Sequence, residues 1–150
     1  MPRSGVRGFR ADRLRDLRVR AGLSADDLAA KVGSSRQAVS TWEVGRSTPP
    51  PAMLGRLAAA LETSVAALVP LPPSQVRLAD LRVLAALSQN EAAKLIAISP
   101  TLLGEIERGQ KPPTDERIQA MAQAYGVTDR SIEEAWGRTQ QYRRTRAQGL

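Results

Sequence analysis

An internal repeat limits what this chain can fold into more than any other feature. Displaced by 64 positions, the sequence aligns with itself without a gap: Leu14 meets Leu78, Leu17 meets Leu81, Arg18 meets Arg82, Leu23 meets Leu87, Ser24 meets Ser88, Glu43 meets Glu107, Gly45 meets Gly109 and Pro49 meets Pro113. Agreement that takes in caps, apolar positions and a charged pair together points to two copies of one folding unit. The copies are expected at 10–69 and 76–137, joined by a Pro-rich linker, 70–75, that holds Pro70, Pro72 and Pro73. Prolines end a preceding helix and stiffen a connection into an extended form. A basic arm, 1–9, and a basic tail, 138–150, flank the copies.

Local signals cut each copy into helices, so the expected fold class is all-α. From about Asp12 to Ala21, the residues Leu14, Leu17 and Ala21 recur at helical spacing, and Gly22 ends the run. Ser24 followed by Asp27 reads as a capping box opening a short helix whose buried side is Leu28, Ala29 and Val32, and Gly33 stops it. Ser34 or Ser35 caps a third helix, Arg36 to about Val44, before Gly45. Prolines 49 to 51 open a fourth through Leu61, and Ser64 a short fifth through Val69. The second copy repeats this plan, with Ser88 and Glu91 as its capping box and a last helix from Asp129 or Arg130 to about Arg146.

Composition decides which chemistry is open to such a chain. It has no Cys and no His, which removes disulfides, thiol nucleophiles, Ser-His-Asp triads and the usual zinc ligands. No catalytic residue, metal site or cofactor is expected. No apolar run nears the roughly 20 residues that span a bilayer, and the first residues lack the apolar stretch of a secretory signal. The expected location is the cytoplasm, with no membrane partner. Charge is unevenly spread: residues 1–70 hold 11 Lys/Arg against 6 Asp/Glu, residues 71–137 hold 7 against 9, and the stretch from Arg138 holds 4 against none. A basic first half suits attraction to a phosphate backbone.

Two short helices joined by a tight Gly-containing turn, inside a five-helix unit of about 60 residues, describe a helix-turn-helix. The run LRVRAGLSADDLAAKVGSSRQAVSTWEVGRSTPP resembles the Cro/CI-type domain, lambda repressor-like and XRE-like, over nearly the whole first copy. LRVLAALSQNEAAKLIAISPTLLGEIERGQKPP resembles the same family more weakly. The resemblance implies two tandem five-helix domains, with the third helix of the first lying in the major groove of double-stranded DNA. The residues it sets against base edges are Arg36, Gln37, Ser40 and Thr41. Arg can donate a bidentate pair to guanine and Gln to adenine, while hydroxyls reach base or phosphate. Ser35, Arg46 and Ser47 are expected at phosphates, with Arg13 and Arg20 as further candidates. The resemblance also implies a structural salt bridge between the first and third helices, here Arg18 with Glu43 and, in the second copy, Arg82 with Glu107. Many relatives carry Gln at the start of the second helix; Ala25 stands there, so that contact is lost. Trp42 falls among Leu28, Val32 and Val39 and is expected in the core.

The second copy lacks such readers. Pro100, Thr101, Gly104 and Glu105 stand where Arg36, Gln37, Ser40 and Thr41 stand in the first. Apolar Ile98 and Leu102, with Trp136 and Tyr142 from the last helix, suggest a surface for a protein partner or a dimer seam. The alternative is a tandem reader in which Gln89, Lys94 and Lys111 add DNA contacts. The terminal arginines, Arg3, Arg7 and Arg10 at one end and Arg138, Arg143, Arg144 and Arg146 at the other, either follow phosphates or stay solvated. The function expected is a sequence-specific transcriptional regulator, a repressor, acting as a homodimer. The competing classes are an antitoxin or interaction module with autoregulatory DNA binding, and a non-specific nucleoid protein.

Overall fold

The computed structural model describes residues 5–149. Among them are ten α-helices and no strand. The chain divides into two compact units, Met1–Leu71 and Pro72–Leu150.

In the first unit the helices are α1 (Ala11–Arg20), α2 (Ala25–Val32), α3 (Arg36–Glu43), α4 (Pro51–Ala60) and α5 (Val65–Leu68). Each start has a local cause. Ser24 Oγ accepts from Asp27 N and the Asp27 carboxylate accepts from Ser24 N, both at 3.0 Å. The Ser24 N–H, helped by the Ser24 hydroxyl, holds the Asp27 carboxyl below the usual carboxylate range. Ser35 and Ser64 cap α3 and α5 in the same way with their hydroxyls, and Pro51 starts α4, where its missing N–H costs nothing. The core is aliphatic: Leu14, Leu28, Val39, Leu54, Leu57 and Leu68 are wholly buried, and Trp42 joins them. α2 packs on α3 and α4, α1 on α3 and α5, and α4 on α5. The segment before α1 is fastened to its own unit. Arg10 N donates to Leu68 O at 2.9 Å, and the Arg10 guanidinium makes a two-pronged bond to the Asp12 carboxylate. Gly8, at φ +81°, lies so close to Leu71 that a Cβ there would sit 2.6 Å from Cδ2. Of the expected basic arm, Arg3 lies outside the described residues.

In the second unit a 3-10 turn (Pro73–Gln75) leads into α6 (Leu78–Leu84), followed by α7 (Gln89–Ile96), α8 (Pro100–Glu107), α9 (Asp115–Tyr125) and α10 (Asp129–Gln148). The Ser88–Glu91 box opens α7. Leu78, Leu103, Ile106, Met121, Ile132 and Ala135 form the centre of the core. Two departures from the first unit are coupled. α6 begins one turn later than α1, because Val76 turns into the core and the Asp80 carboxylate caps the later start by accepting from Arg77 N at 2.8 Å. In exchange α10 runs for 20 residues where α5 runs for four, and its far half covers that later start. Arg138 donates to Val76 O, and the buried Thr139 Oγ1 accepts from Leu78 N at 3.1 Å while donating to Ala135 O at 2.8 Å. Of the residues expected to form a basic tail, 138–148 therefore continue α10, and Arg138 and Thr139 bond to the start of α6.

The repeat also carries a backbone requirement from one copy to the other. Gly33 closes α2 in the left-handed region at φ +70°, and its counterpart closing α7 is Ala97 at φ +64°. A Cβ in that conformation costs about 1–2 kcal/mol relative to glycine. Ala97→Gly is expected to stabilise the second unit by about 1 kcal/mol, less than the strain removed because glycine also loosens the unfolded chain. Urea denaturation checks this, and an unchanged or lowered midpoint would show the strain to be relieved elsewhere.

Candidate nucleic-acid interface

The site is built on the second and third helices of the first unit. The Ser24–Asp27 box and Gly33 give α2 its two ends, and the Ser35 cap starts α3 two residues after that glycine. The inner face of α3 is held by Val39 and Trp42, both buried. The positions left outside are Arg36, Gln37 and Ser40, all exposed, and Thr41, half-buried. Residues i, i+1, i+4 and i+5 fall on one side of a helix, so these four side chains form a single surface on a rigidly packed element. Arg36 has no carboxylate partner among the described residues. Thr41 Oγ1 donates to Gln37 O at 2.8 Å, so its proton is already used and only its lone pairs and methyl group face outward.

α3 ends in a turn through Val44 and Gly45, in which Arg46 N returns to Thr41 O at 3.1 Å. Arg46 and Ser47 follow it, both exposed, and Ser35 stands exposed at the opposite end of α3. Ser35 Oγ accepts from Ala38 N, which leaves its own O–H free to donate outward. The Arg18 guanidinium ties α1 to the end of α3 through two bonds to Glu43, at 2.6 and 2.9 Å, and a third to Leu23 O at 2.8 Å. The structure does not bring Arg13 and Arg20 to this surface. Both line a cleft of about 350 Å³ on the α5 side of α1, with Asp12, Asp16, Leu17 and Ala67. The helical period could have shown this. Arg18 marks the α3 side, and Arg13 and Arg20 fall roughly 140° and 160° away from it at 100° per residue.

The second unit keeps the frame and changes the outward face. Arg82 repeats the first pair with bonds to Glu107 at 2.7 and 3.3 Å and to Leu87 O at 3.0 Å. The Gln89 amide donates to Glu107 Oε1 at 3.0 Å, and Glu105 pairs with Lys111 at 3.3 Å. Of the candidate partner surface, Ile98, Leu102 and Trp136 are half-buried and pack against the unit's own core. Tyr142 is exposed, with the Arg77 guanidinium 3.5 Å from its ring centroid. Lys94 is exposed on α7. Among the described residues no group of three or more His, Cys, Asp or Glu could hold a metal ion, and no helix is long and apolar enough to cross a membrane.

Comparison with known families matches both units. A model described as helix-turn-helix covers residues 14–68, and one described as a helix-turn-helix domain covers residues 76–135. No curated protein matches the chain. With the two matches falling on consecutive units that share caps, turns and a buried ion pair, the chain belongs to the Cro/CI-type, XRE-like helix-turn-helix family of DNA-binding regulators, with two such domains in tandem.

Proposed function

We propose that the chain is a sequence-specific regulator of transcription, a repressor, that reads the major groove of double-stranded DNA with α3. The observation that carries this reading is the outward face of α3. Arg36, Gln37 and Ser40 stand exposed on a helix whose opposite side is locked into the core by Val39 and Trp42. Arg36 and Gln37 at the first two positions have the fork and amide geometry that suit guanine and adenine. Thr41 contributes an acceptor and a methyl group, which suits a cytosine amine or a thymine methyl. Ser35, Arg46 and Ser47, at the two ends of the same helix, hold phosphates and set its register. Occupation of a promoter gives repression. A homodimer on a palindromic operator, with half-sites about 34 Å apart, is the arrangement that lets two such short helices read a site long enough to be specific.

Two substitutions separate reading from holding. Arg36→Ala is expected to weaken binding to a duplex selected from random sequence by roughly 5- to 150-fold, with little change on unrelated duplex. Arg46→Ala is expected to weaken both alike and to lower the salt slope by about 0.9. Fluorescence anisotropy across a salt series gives both quantities, with the oligomer mass measured on the same samples. Equal losses on the two duplexes for Arg36→Ala would remove the base-reading role.

A further inference from the structure

The outward face of α8 is not empty of positive charge; its cation comes from elsewhere in the second unit. Gly104 stands where Ser40 stands in the first unit, and a Cβ added there would lie 3.0 Å from Nη1 of Arg108 and 3.4 Å from Nε2 of Gln89. The Arg108 guanidinium therefore folds back from the C-cap of α8 across the helix, over the space that a side chain at this position would use, and buries Gly104. A second arginine reaches the same turn from α10. Ile132, Ala135 and Thr139 form the buried stripe of that helix, and Arg143 continues it one turn beyond Thr139. Its Nη1 donates to Arg108 O at 3.4 Å, and its Cδ lies 3.4 Å from where a Cβ of Gly109 would be. Lys111 follows in the loop, its Nζ 3.3 Å from Glu105. That one carboxylate is matched by Lys111, while Arg108 and Arg143 pair with no carboxylate among the described residues.

We propose that Arg108, Lys111 and Arg143 form a phosphate-binding site through which the second unit holds the backbone of double-stranded DNA without reading bases. The inference rests on the reading that the first unit supplies the sequence-specific contact. Two arginines without carboxylate partners, one lying along α8 and one at its C-terminal turn, beside an acid already matched by Lys111, favour a polyanion, since each attracts a phosphate. The occupant is assigned as duplex because of the repeat. Gly109 has the same φ, +76°, as Gly45, and the turn it forms corresponds to the one that presents Arg46 and Ser47. A duplex docked on the second helix-turn-helix frame thus meets this cluster where one docked on the first meets Arg46. Bidentate base readout is absent because Pro100 and Gly104 offer no side-chain donor, Thr101 has a single hydroxyl, and the Glu105 carboxylate is bound to Lys111.

The test uses the full chain, a duplex selected from random sequence and an unrelated duplex of equal length, over a salt series. Arg108→Ala/Arg143→Ala is expected to weaken both duplexes by the same factor, on the order of tenfold near 0.1 M salt, and to lower the salt slope by about 1.8. Arg108→Lys/Arg143→Lys keeps the charges and is expected to keep the slope, which separates lost phosphate contact from lost folding. Arg130→Ala, which removes an exposed pair with Glu134, is expected to change neither quantity. An unchanged slope in the alanine variant overturns the proposal, as does a loss confined to the selected duplex. Binding to phosphatidylserine vesicles that falls in the variant while DNA binding stays the same also overturns it. Failure of the first-unit reading shows differently: Arg36→Ala would then leave the ratio between duplexes unchanged, while the slope on unrelated duplex still reports the cluster.

Discussion

Glu107→Ala is expected to destabilise the second unit by about 3–5 kcal/mol, the usual cost of removing one member of a buried ion pair. The side chains of Arg82 and Glu107 are 5% and 6% exposed, so truncating Glu107 leaves a buried guanidinium without its countercharge. Two bonds to the carboxylate disappear and the Gln89 amide loses its acceptor as well. The surroundings are apolar enough to act on a third group: burial, helped by the nearby Glu107 charge, pushes the Tyr125 phenol above its ordinary range. A unit of this size rarely has more than about 3–5 kcal/mol of stability, so the variant should populate the unfolded second unit in water. Each unit contains one tryptophan. In a Trp42→Phe background the fluorescence of Trp136 follows the second unit alone through urea denaturation, and in a Trp136→Phe background Trp42 follows the first, which should be unaffected. Glu43→Ala is expected to cost the first unit less, because Arg18 is 15% exposed and can turn toward water. Arg82→Met/Glu107→Leu should recover most of the loss, since an apolar pair carries no charge to desolvate. A loss below about 1 kcal/mol for Glu107→Ala would mean that water reaches the guanidinium, and the pair would count as a surface bridge.

What the sequence discloses and what it hides divide along the distance over which each feature is decided. Ser24 with Asp27 and Ser88 with Glu91 are legible because a capping box is settled within four residues. The ion pairs, whose members lie 25 positions apart, are legible because the resemblance implies them and both members recur in the repeat. The exposed face of α3 follows from its period once Val39 and Trp42 are recognised as core. The side of α1 that carries Arg13 and Arg20 was equally available from the period. Other features depend on long-range packing. The composition of Gly104 suggests only a weakened helix; that Arg108 fills the space requires knowing the path of a side chain from the next turn. Thr139 looks like one polar residue in the run RTQQYRRTRAQ, and nothing local says that its hydroxyl meets the start of α6, 61 positions earlier.

That long-range bond underlies the second large effect. Removing residues 138–150 is expected to destabilise the second unit by about 1–3 kcal/mol from two lost hydrogen bonds at about 0.5–1.5 kcal/mol each, since water reaches the freed groups, and by the lost burial beneath α10 in addition. Leu78 N has Thr139 Oγ1 as its partner at the first turn of α6, where no carbonyl of its own helix can serve, and Val76 O accepts from Arg138. The stacking of Arg77 on the Tyr142 ring across the same junction is lost as well. If the segment were a solvated arm, as its composition suggests, its removal would leave the denaturation curve of Trp136 unchanged and alter only the affinity for nucleic acid. A point substitution isolates the cause. Thr139→Val keeps the shape and the covering helix, so water cannot replace the hydroxyl, and it should cost about 1–3 kcal/mol. Thr139→Ser keeps the oxygen and should cost less than Thr139→Val. Should the valine variant prove as stable as the serine one, the hydroxyl would be irrelevant to the fold. The stabilisation lost on truncation would then have to come from burial beneath α10 alone.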